Sequence, residues 1–366
     1  MRRHAYHGGA FFNAIGPNFS TYERSKKVIS ADVLDAWFDP SPRVVDKIRQ
    51  YLRFNIKTSG PTHSEGLVET ISKYRKIPKE NILVSGGSSD LMFAFFPRMA
   101  GKADRVMVLD PMYGEYEHIF KYITRSRIIK FNLHKQNDFK VDINQLINEV
   151  KKQKPRLLVL VNPNSPTGQY IPRNKFLKLL KSISEDTLVV VDETYIDYVD
   201  SNLSLESEVK RHENLVIIKS MSKAYALSGV RVGYLVAASK LADRVASFIP
   251  PFSVGLIGQI AGVEALKDRN YYQKKYQETR RLRNQLIKNL SQIKGLKPYD
   301  SVANFVLIEL SGSKMGAKEL SRKLMKQDIF IRTFAADNRL KDRFIRIAVK
   351  DKRTNGRVIA AIRKAL

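Results

Sequence analysis

A lysine, an arginine and several serines lie in a short stretch that follows an apolar run at residues 214–219. The run has the composition of a buried strand, so Lys223 is expected at a strand end, where the loss of water disfavours a charged amine. A neutral amine is the nucleophile of Schiff-base chemistry. Ser220, Ser222 and Arg231 are donors suited to a phosphate. The stretch predicts an anion site with a nucleophile, and a solvated surface turn is the alternative for so short a motif.

The elements that must position this stretch belong to an alternating pattern of strands and helices between residues 81 and 235. Continuously apolar strands are typical of a parallel sheet that is covered on both faces. Ligands of such sheets bind beyond the carboxyl ends of the strands. Polar loops are predicted at five of these ends, at residues 85–90, 110–114, 162–168, 192–195 and 220–223. Their convergence favours a functional site over an ordinary turn.

The 366 residues suffice for two domains, since one domain has roughly 100–200 residues. We interpret residues 1–45 as an N-terminal segment that packs with the small domain or the active site, and residues 46–255 as a large α/β domain with a mostly parallel sheet. Residues 256–366 form a smaller α+β domain that includes a long linking helix.

Several classes of protein are excluded by composition. The chain has no cysteine, and its six histidines lack the helical i, i+4 spacing of a zinc site, so no metal is predicted. The N-terminus lacks the apolar core of a signal peptide and no membrane span is predicted, so we expect a cytoplasmic protein.

The formal net charge of +28 would suit a nucleic acid, an anionic membrane surface or small anions. The basic residues are spread along the chain, however, and no zinc finger, basic zipper or aromatic ribonucleoprotein signature is present. A solvated surface that attracts phosphorylated substrates is therefore predicted, with no nucleic-acid partner.

Three motifs together resemble the class I/II aminotransferase family, the fold-type I enzymes that use pyridoxal 5′-phosphate. They are Asn-Pro-Asn-Ser-Pro-Thr-Gly at 162–168, Asp-Glu-Thr-Tyr at 192–195, and Ser-x-Ser-Lys at 220–223 with Arg231 eight residues after the lysine. The likeness covers nearly the whole chain. It implies this cofactor, a large domain that binds it, and a homodimer with active sites built between two subunits.

The resemblance also implies roles for individual residues. Lys223 would form the Schiff base and move protons, Asp192 would pair with the pyridine nitrogen, Tyr195 would donate to the phenolic oxygen, and Tyr113 would stack on the ring. The cofactor phosphate would be held by Ser88, Ser89, Ser220, Ser222 and Arg231, and the substrate by Arg346, with Arg332 and His7 as further candidates.

Three departures from the family pattern leave alternatives open. The asparagine that usually precedes Pro-Thr-Gly is replaced by Ser165, with Asn164 one place earlier, so either side chain is a candidate for the phenolic oxygen. Residues 58–63 lack the tyrosine that related enzymes lend to the partner subunit. Residues 35–40, Asp-Ala-Trp-Phe-Asp-Pro, replace an asparagine-rich substrate segment.

Two branches of the family look closest, and both act on phosphorylated substrates. Short likenesses near residues 7–9, 251–254 and 331–348 favour decarboxylation of a small O-phospho-amino acid, such as threonine or serine phosphate. The alternative is an aminotransferase of the histidinol-phosphate type. A non-enzymatic nucleic-acid-binding protein is a remote alternative that only the charge suggests.

Overall fold

The structure is a computed structural model that describes residues 8–16, 18–334 and 339–366. Within this part of the chain the helices are α1 (Phe11–Ile15), α2 (Pro42–Gln50), α3 (Leu52–Lys57), α4 (Glu65–Arg75), α5 (Ser88–Met99), α6 (Gly114–His118), α7 (Ile143–Gln153), α8 (Arg173–Ser182), α9 (Met221–Ala224), α10 (Ser239–Ala246), α11 (Leu256–Lys267), α12 (Arg269–Ser291), α13 (Ala317–Met325) and α14 (Lys352–Ala365). The strands are β1 (Ile29–Ala31), β2 (Ile82–Ser85), β3 (Arg105–Asp110), β4 (Arg127–Asn132), β5 (Leu157–Val161), β6 (Leu188–Asp192), β7 (Leu215–Ser220), β8 (Gly233–Val236), β9 (Lys297–Pro298), β10 (Phe305–Glu309), β11 (Ile329–Thr333) and β12 (Phe344–Ala348). No described helix has both the length and the apolar composition of a membrane span.

The larger sheet has seven strands in the order β2-β8-β7-β6-β5-β3-β4. β8 is antiparallel to β2 and β7, and the remaining pairs are parallel. Every residue of β5, β6 and β7 is buried, because apolar clusters cover both faces of the sheet. The predicted α/β fold with a mostly parallel sheet is confirmed, and the carboxyl ends of β5, β6 and β7 lie at one edge.

The sequence pattern did not predict β8 as a separate strand. Its first residue, Gly233, lies so close to the start of α5 that a Cβ atom would be 2.5 Å from the Ser88 nitrogen and 2.7 Å from the Gly87 carbonyl carbon. A side chain at this position would push the helix away. The glycine therefore sets the distance between the first turn of α5 and the end of β7, which runs beside β8.

The smaller sheet has the order β1-β11-β12-β10-β9. Its edge strand comes from the N-terminal segment, since β1 pairs in parallel with β11, with Ile29 opposite Ile329. Apolar side chains of this sheet share one core with α12, α13 and α14, whereas α11 packs against α2 and α4. The domain boundaries at residues 45 and 255 remain an interpretation.

Candidate active site

A cavity of about 220 Å³ lies at the carboxyl ends of β5, β6 and β7, beside the first turn of α5. Predicted site residues that line it are Ser88, Ser89, Tyr113, Ser165, Asp192, Tyr195, Ser220, Ser222, Lys223, Arg231 and Arg346. Predicted residue His7 lies outside the described residues, although its neighbour Gly8 is part of the wall. The loops that the sequence placed at strand ends therefore surround one space.

Lys223 enters the cavity from the short helix α9, which follows β7 directly. The Ser222 nitrogen donates to the Ser220 hydroxyl at 3.3 Å, and the Tyr198 hydroxyl donates to the Lys223 carbonyl at 2.8 Å. These two contacts fix the turn that carries the lysine. Its side chain is 21% exposed, so the amine is reachable from the cavity.

Asp35 is a site residue that sequence reasoning missed. The Lys223 Nζ lies 2.7 Å from its Oδ1, and the Ser228 hydroxyl donates to the same oxygen at 2.6 Å. Burial by itself raises the pKa of Asp35, but the charge and hydrogen bond of Lys223 outweigh it, and the pKa is lowered. Lys350 adds a further positive charge nearby. The only signal in the sequence was the departure of residues 35–40 from the family pattern.

Asp192 ends β6 with its carboxylate held from both sides. Its Oδ1 accepts from the Thr194 nitrogen at 2.9 Å and its Oδ2 from the Tyr116 hydroxyl at 2.8 Å. Burial raises the pKa of Asp192, and these hydrogen bonds act in the opposite direction. A carboxylate oriented in this way suits a protonated ring nitrogen, whose positive charge would favour its ionised form. Tyr116 is a second residue that the sequence did not indicate.

The start of α5 and Arg231 form a cradle for an anion. The Arg231 Nη1 donates to the Ser222 hydroxyl at 3.1 Å. The backbone of Arg231 is in the left-handed region, with φ of 53°. Gly87 precedes α5 with φ of 107°, and a Cβ there would lie 2.6 Å from the Arg231 Nη2. Ser88 and Ser89 begin the helix, where backbone N–H groups and the helix dipole attract a phosphate. The residues present therefore fit a phosphate group.

Asn164 and Ser165 differ in which groups their side chains contact. The Asn164 Nδ2 donates to the Pro111 carbonyl at 3.1 Å and to the Thr167 hydroxyl at 3.0 Å, so this amide holds the loop together. Ser165 lines the cavity, and its hydroxyl accepts from the Arg346 Nη1 at 3.0 Å. Of the two, Ser165 is the side chain that faces the cavity.

Two tyrosines complete the wall near Asp192. Burial, together with the carboxylates of Glu115 and Asp192, raises the pKa of Tyr113 to about 12. Burial also raises the pKa of Tyr195, against the opposing charge of Arg346. The ring of Tyr195 packs edge-on against Phe305, with 5.2 Å between centroids. Both hydroxyls therefore keep their protons at neutral pH.

Arg346 and Arg332 lie directly opposite each other on β12 and β11. The Arg346 Nη2 donates to the Asp32 carbonyl at 3.2 Å, and the guanidinium lies 5.4 Å from the Phe305 ring centroid. Its Nε is buried without a hydrogen-bond partner among the described residues. Burial lowers the pKa of Arg346 to about 10, which leaves it charged at neutral pH. A buried cation with an unused donor suits an anionic substrate group.

Comparisons with known proteins identify the family. Residues 30–362 match the family described as aminotransferase class I and II. The histidinol-phosphate aminotransferase of Clostridium novyi (strain NT) is 29% identical over 339 residues, which cover 92% of each chain. The histidinol-phosphate aminotransferase of Ruminiclostridium cellulolyticum is 30% identical over 316 residues, which cover 86% of each chain.

Solved structures share the fold. The histidinol-phosphate aminotransferase from Clostridium acetobutylicum has a TM-score of 0.82 at 24% identity and covers 91% of this chain and 98% of its own. L-threonine-O-3-phosphate decarboxylase from Porphyromonas gingivalis has a TM-score of 0.79 at 23% identity and covers 90% and 97%. Histidinol-phosphate aminotransferase from Sinorhizobium meliloti, in complex with pyridoxal 5′-phosphate, has a TM-score of 0.82 at 22% identity and covers 97% and 96%. With residues 30–362 matched, the chain belongs to the class I and II aminotransferase family and is a pyridoxal 5′-phosphate-dependent enzyme of fold type I.

Proposed function

We propose that this protein is an aminotransferase that exchanges the amino group of a phosphorylated amine, of the histidinol-phosphate type, with a keto acid. The observation that carries the proposal is the match to curated histidinol-phosphate aminotransferases over most of the chain, 92% for that of Clostridium novyi. Sequence motifs alone favoured decarboxylation, whereas the similar curated proteins support the alternative, transamination, better.

The residues of the cavity have roles that suit this reaction. When bound, pyridoxal phosphate withdraws electrons from a bond at the substrate α-carbon. Lys223 would hold the cofactor and move the proton at that carbon, while Asp192 would keep the ring nitrogen protonated. Tyr195 and Ser165 would donate to the phenolic oxygen, and Tyr113 would cover the ring.

The arginine pair supports substrates that carry an anionic group. A guanidinium fork binds a phosphate and a carboxylate with the same geometry. Arg346 has an unused buried Nε, and Arg332 lies opposite it on the neighbouring strand. The pair can therefore bind the phosphate of the amine in one half-reaction and a carboxylate of the keto acid in the other.

Asp35 is expected to position the Lys223 amine. Replacement by asparagine should lower kcat of the cofactor-loaded protein by about tenfold, because a group that moves a proton must be held at its target atom. The carboxylate lies 2.7 Å from the Lys223 Nζ and pairs with it by charge and hydrogen bond, whereas an amide makes a weaker contact. Steady-state kinetics, with cofactor content checked by absorbance, measure kcat. Exposed Asp39, in the same segment, provides the matched Asp39→Asn control. An unchanged kcat in Asp35→Asn would contradict this role.

Gly87 is expected to be necessary for cofactor binding. In Gly87→Ala the new methyl group would collide with the Arg231 Nη2, and φ of 107° is strained for alanine. Displacement of the arginine should weaken cofactor affinity about tenfold or more, since a charge-assisted phosphate contact is lost. Fluorescence titration of the apoenzyme measures the affinity. Gly66→Ala, where a Cβ meets no atom within 4 Å, is the control. Equal cofactor affinity in both variants would mean that the cofactor phosphate does not bind between Arg231 and the start of α5.

The proposed reaction is tested with histidinol phosphate, O-phosphothreonine and O-phosphoserine, each with and without 2-oxoglutarate. Product from histidinol phosphate only in the presence of the keto acid, together with glutamate, supports the proposal. Release of carbon dioxide and a phospho-amine without any keto acid would overturn it.

Decarboxylation is the second candidate, because the N-terminal segment that resembles the decarboxylase branch reaches the cavity. The Gly9 nitrogen donates to the Asp32 Oδ2 at 2.7 Å, and Gly8 lines the wall. If the arginines bound the side-chain phosphate of an O-phospho-amino acid instead of its α-carboxylate, the carboxylate would be left unbound and could depart as carbon dioxide. The same assay separates the two reactions.

A homodimer is also proposed, from the family resemblance. Large apolar side chains remain exposed on the single chain, among them Phe54, Phe93, Phe248 and Phe252. Burial of such side chains against a second chain would stabilise a dimer through the hydrophobic effect.

A further inference from the structure

A cleft of about 710 Å³ lies at the edge of the larger sheet opposite the active site. Five basic residues line it: Arg105, Arg127, Arg156, Lys151 and Lys154. We call it the arginine cleft. β6 runs from one edge to the other. Thr187, directly before the strand, lines the cleft, and Asp192, its last residue, lines the active site. At about 3.3 Å a residue, this strand separates the two places by roughly 17 Å. The arginine cleft is therefore a separate place on the molecule.

The strand register aligns three arginines in a row. Arg105 and Arg127 are direct partners at the first positions of β3 and β4. The Arg156 nitrogen, just before β5, donates to the Arg105 carbonyl at 2.8 Å. Neighbouring strands are about 4.8 Å apart, so the Cα atoms of three arginines lie side by side at the same level of the sheet. Their side chains start from one row, and each guanidinium can reach the same bound anion.

The charges of this row are not neutralised within the described residues. All five basic side chains of the arginine cleft belong to exposed residues, and none of them forms an ion pair with a described residue. Two acidic residues, Asp104 and Asp186, also line the cleft, and with the five basic residues they leave a formal excess of three positive charges. Like charges directly opposite on neighbouring strands are destabilising. An anion bound across the row would relieve this repulsion.

We propose that the arginine cleft binds an oligophosphate chain. Guanidinium groups bind phosphate oxygens through forked contacts, and a row of three spaced at about 4.8 Å suits a linear di- or triphosphate better than a single phosphate. Two sources share this chemistry, inorganic polyphosphate and the triphosphate of a nucleotide. The proposal does not depend on which amino-group reaction the active site performs.

The test is calorimetric titration of the cofactor-loaded full chain with tripolyphosphate, a nucleoside triphosphate and orthophosphate. In Arg105→Gln/Arg127→Gln/Arg156→Gln, affinity for tripolyphosphate should fall about tenfold or more, because three charge-assisted contacts are lost. The control removes the same charge from exposed arginines elsewhere and should retain affinity: Arg281→Gln/Arg357→Gln/Arg363→Gln. Circular dichroism verifies that both variants are folded, and transaminase activity should be equal in both.

The outcomes separate the explanations. Equal affinities for tripolyphosphate and for the nucleoside triphosphate would support recognition of the phosphate chain alone. A higher affinity for the nucleoside triphosphate would support a nucleotide as the source. An equal loss in the control would assign the binding to the net charge of +28 and overturn the proposal. Loss of binding in Arg346→Gln would place the anion in the active site and also overturn it. If orthophosphate bound as tightly as tripolyphosphate, the cleft would recognise a single phosphate, and this result would also overturn the proposal.

Discussion

Replacement of Lys223 by alanine is expected to abolish the covalent attachment of the cofactor and to lower kcat by about 10⁴-fold or more. The residue supplies both the nucleophilic amine and the group that moves the α-carbon proton, so two functions are lost together. Borohydride reduction followed by mass spectrometry should find the cofactor on the Lys223 peptide in the wild-type protein and on no peptide in the variant. Transaminase activity is measured in parallel.

Lys223→Arg separates the charge of this residue from its chemistry. It keeps a cation beside Asp35, which lies 2.7 Å from the lysine nitrogen, but it cannot form a Schiff base. We therefore expect a stable fold, retained cofactor affinity through Arg231 and the start of α5, and no reducible adduct. Lys240→Met serves as a second control for labelling, since Lys240 is exposed on α10 and does not line the cavity. A reduced adduct that persists in Lys223→Ala would contradict the assignment.

Replacement of Arg346 by glutamine is expected to lower kcat/KM by about 100-fold or more for the phosphorylated amine and for the keto acid alike. Both effects follow if one guanidinium binds the anionic group of each substrate in turn. Single-turnover measurements of the two half-reactions, with cofactor content checked by absorbance, give the two values separately. Arg346→Lys should recover part of the activity because it keeps the charge but loses the fork.

The rates of the two half-reactions in Arg346→Gln show which substrate group Arg346 binds. Arg353→Gln, an exposed position on α14, is the matched control and should leave both rates unchanged. A loss confined to the keto acid would mean that the phosphate binds elsewhere, with Arg332 as the first candidate. If neither half-reaction changed, Arg346 would have only a structural role in holding Ser165 and the Asp32 carbonyl.

Much of the fold and the reactive centre could be predicted from local sequence. Apolar runs such as 187–192 predict buried strands because both faces of a parallel sheet are covered, and β6 covers Leu188–Asp192 of this run. The polar residue at the end of such a run must then lie at the sheet edge. Asp192, Tyr195 and Lys223 could be placed near one another in this way, and the fold and family that they implied are confirmed.

Contacts between distant segments could not be predicted in this way. Asp35 precedes Lys223 by 188 positions, and it reaches the lysine because β1 joins the smaller sheet and carries the following segment over the cavity. Likewise, Arg332 and Arg346 become neighbours through the pairing of β11 with β12. No periodicity within either strand encodes its partner.

Lys219 on β7 and Lys223 on the following helix, α9, illustrate what could not be predicted from the sequence. By the argument from burial, Lys219 is as good a candidate as Lys223, and it is the more buried, with 3% of its side chain exposed. The tertiary structure places its Nζ 3.5 Å from Glu193 and 3.7 Å from Asp197, so its charge is paired inside the protein. The sequence by itself determined a strand that ends in a lysine motif beside a phosphate site. Only the tertiary structure decided which amine faces the cavity and which carboxylate meets it, because side-chain environment depends on packing between segments far apart in the chain.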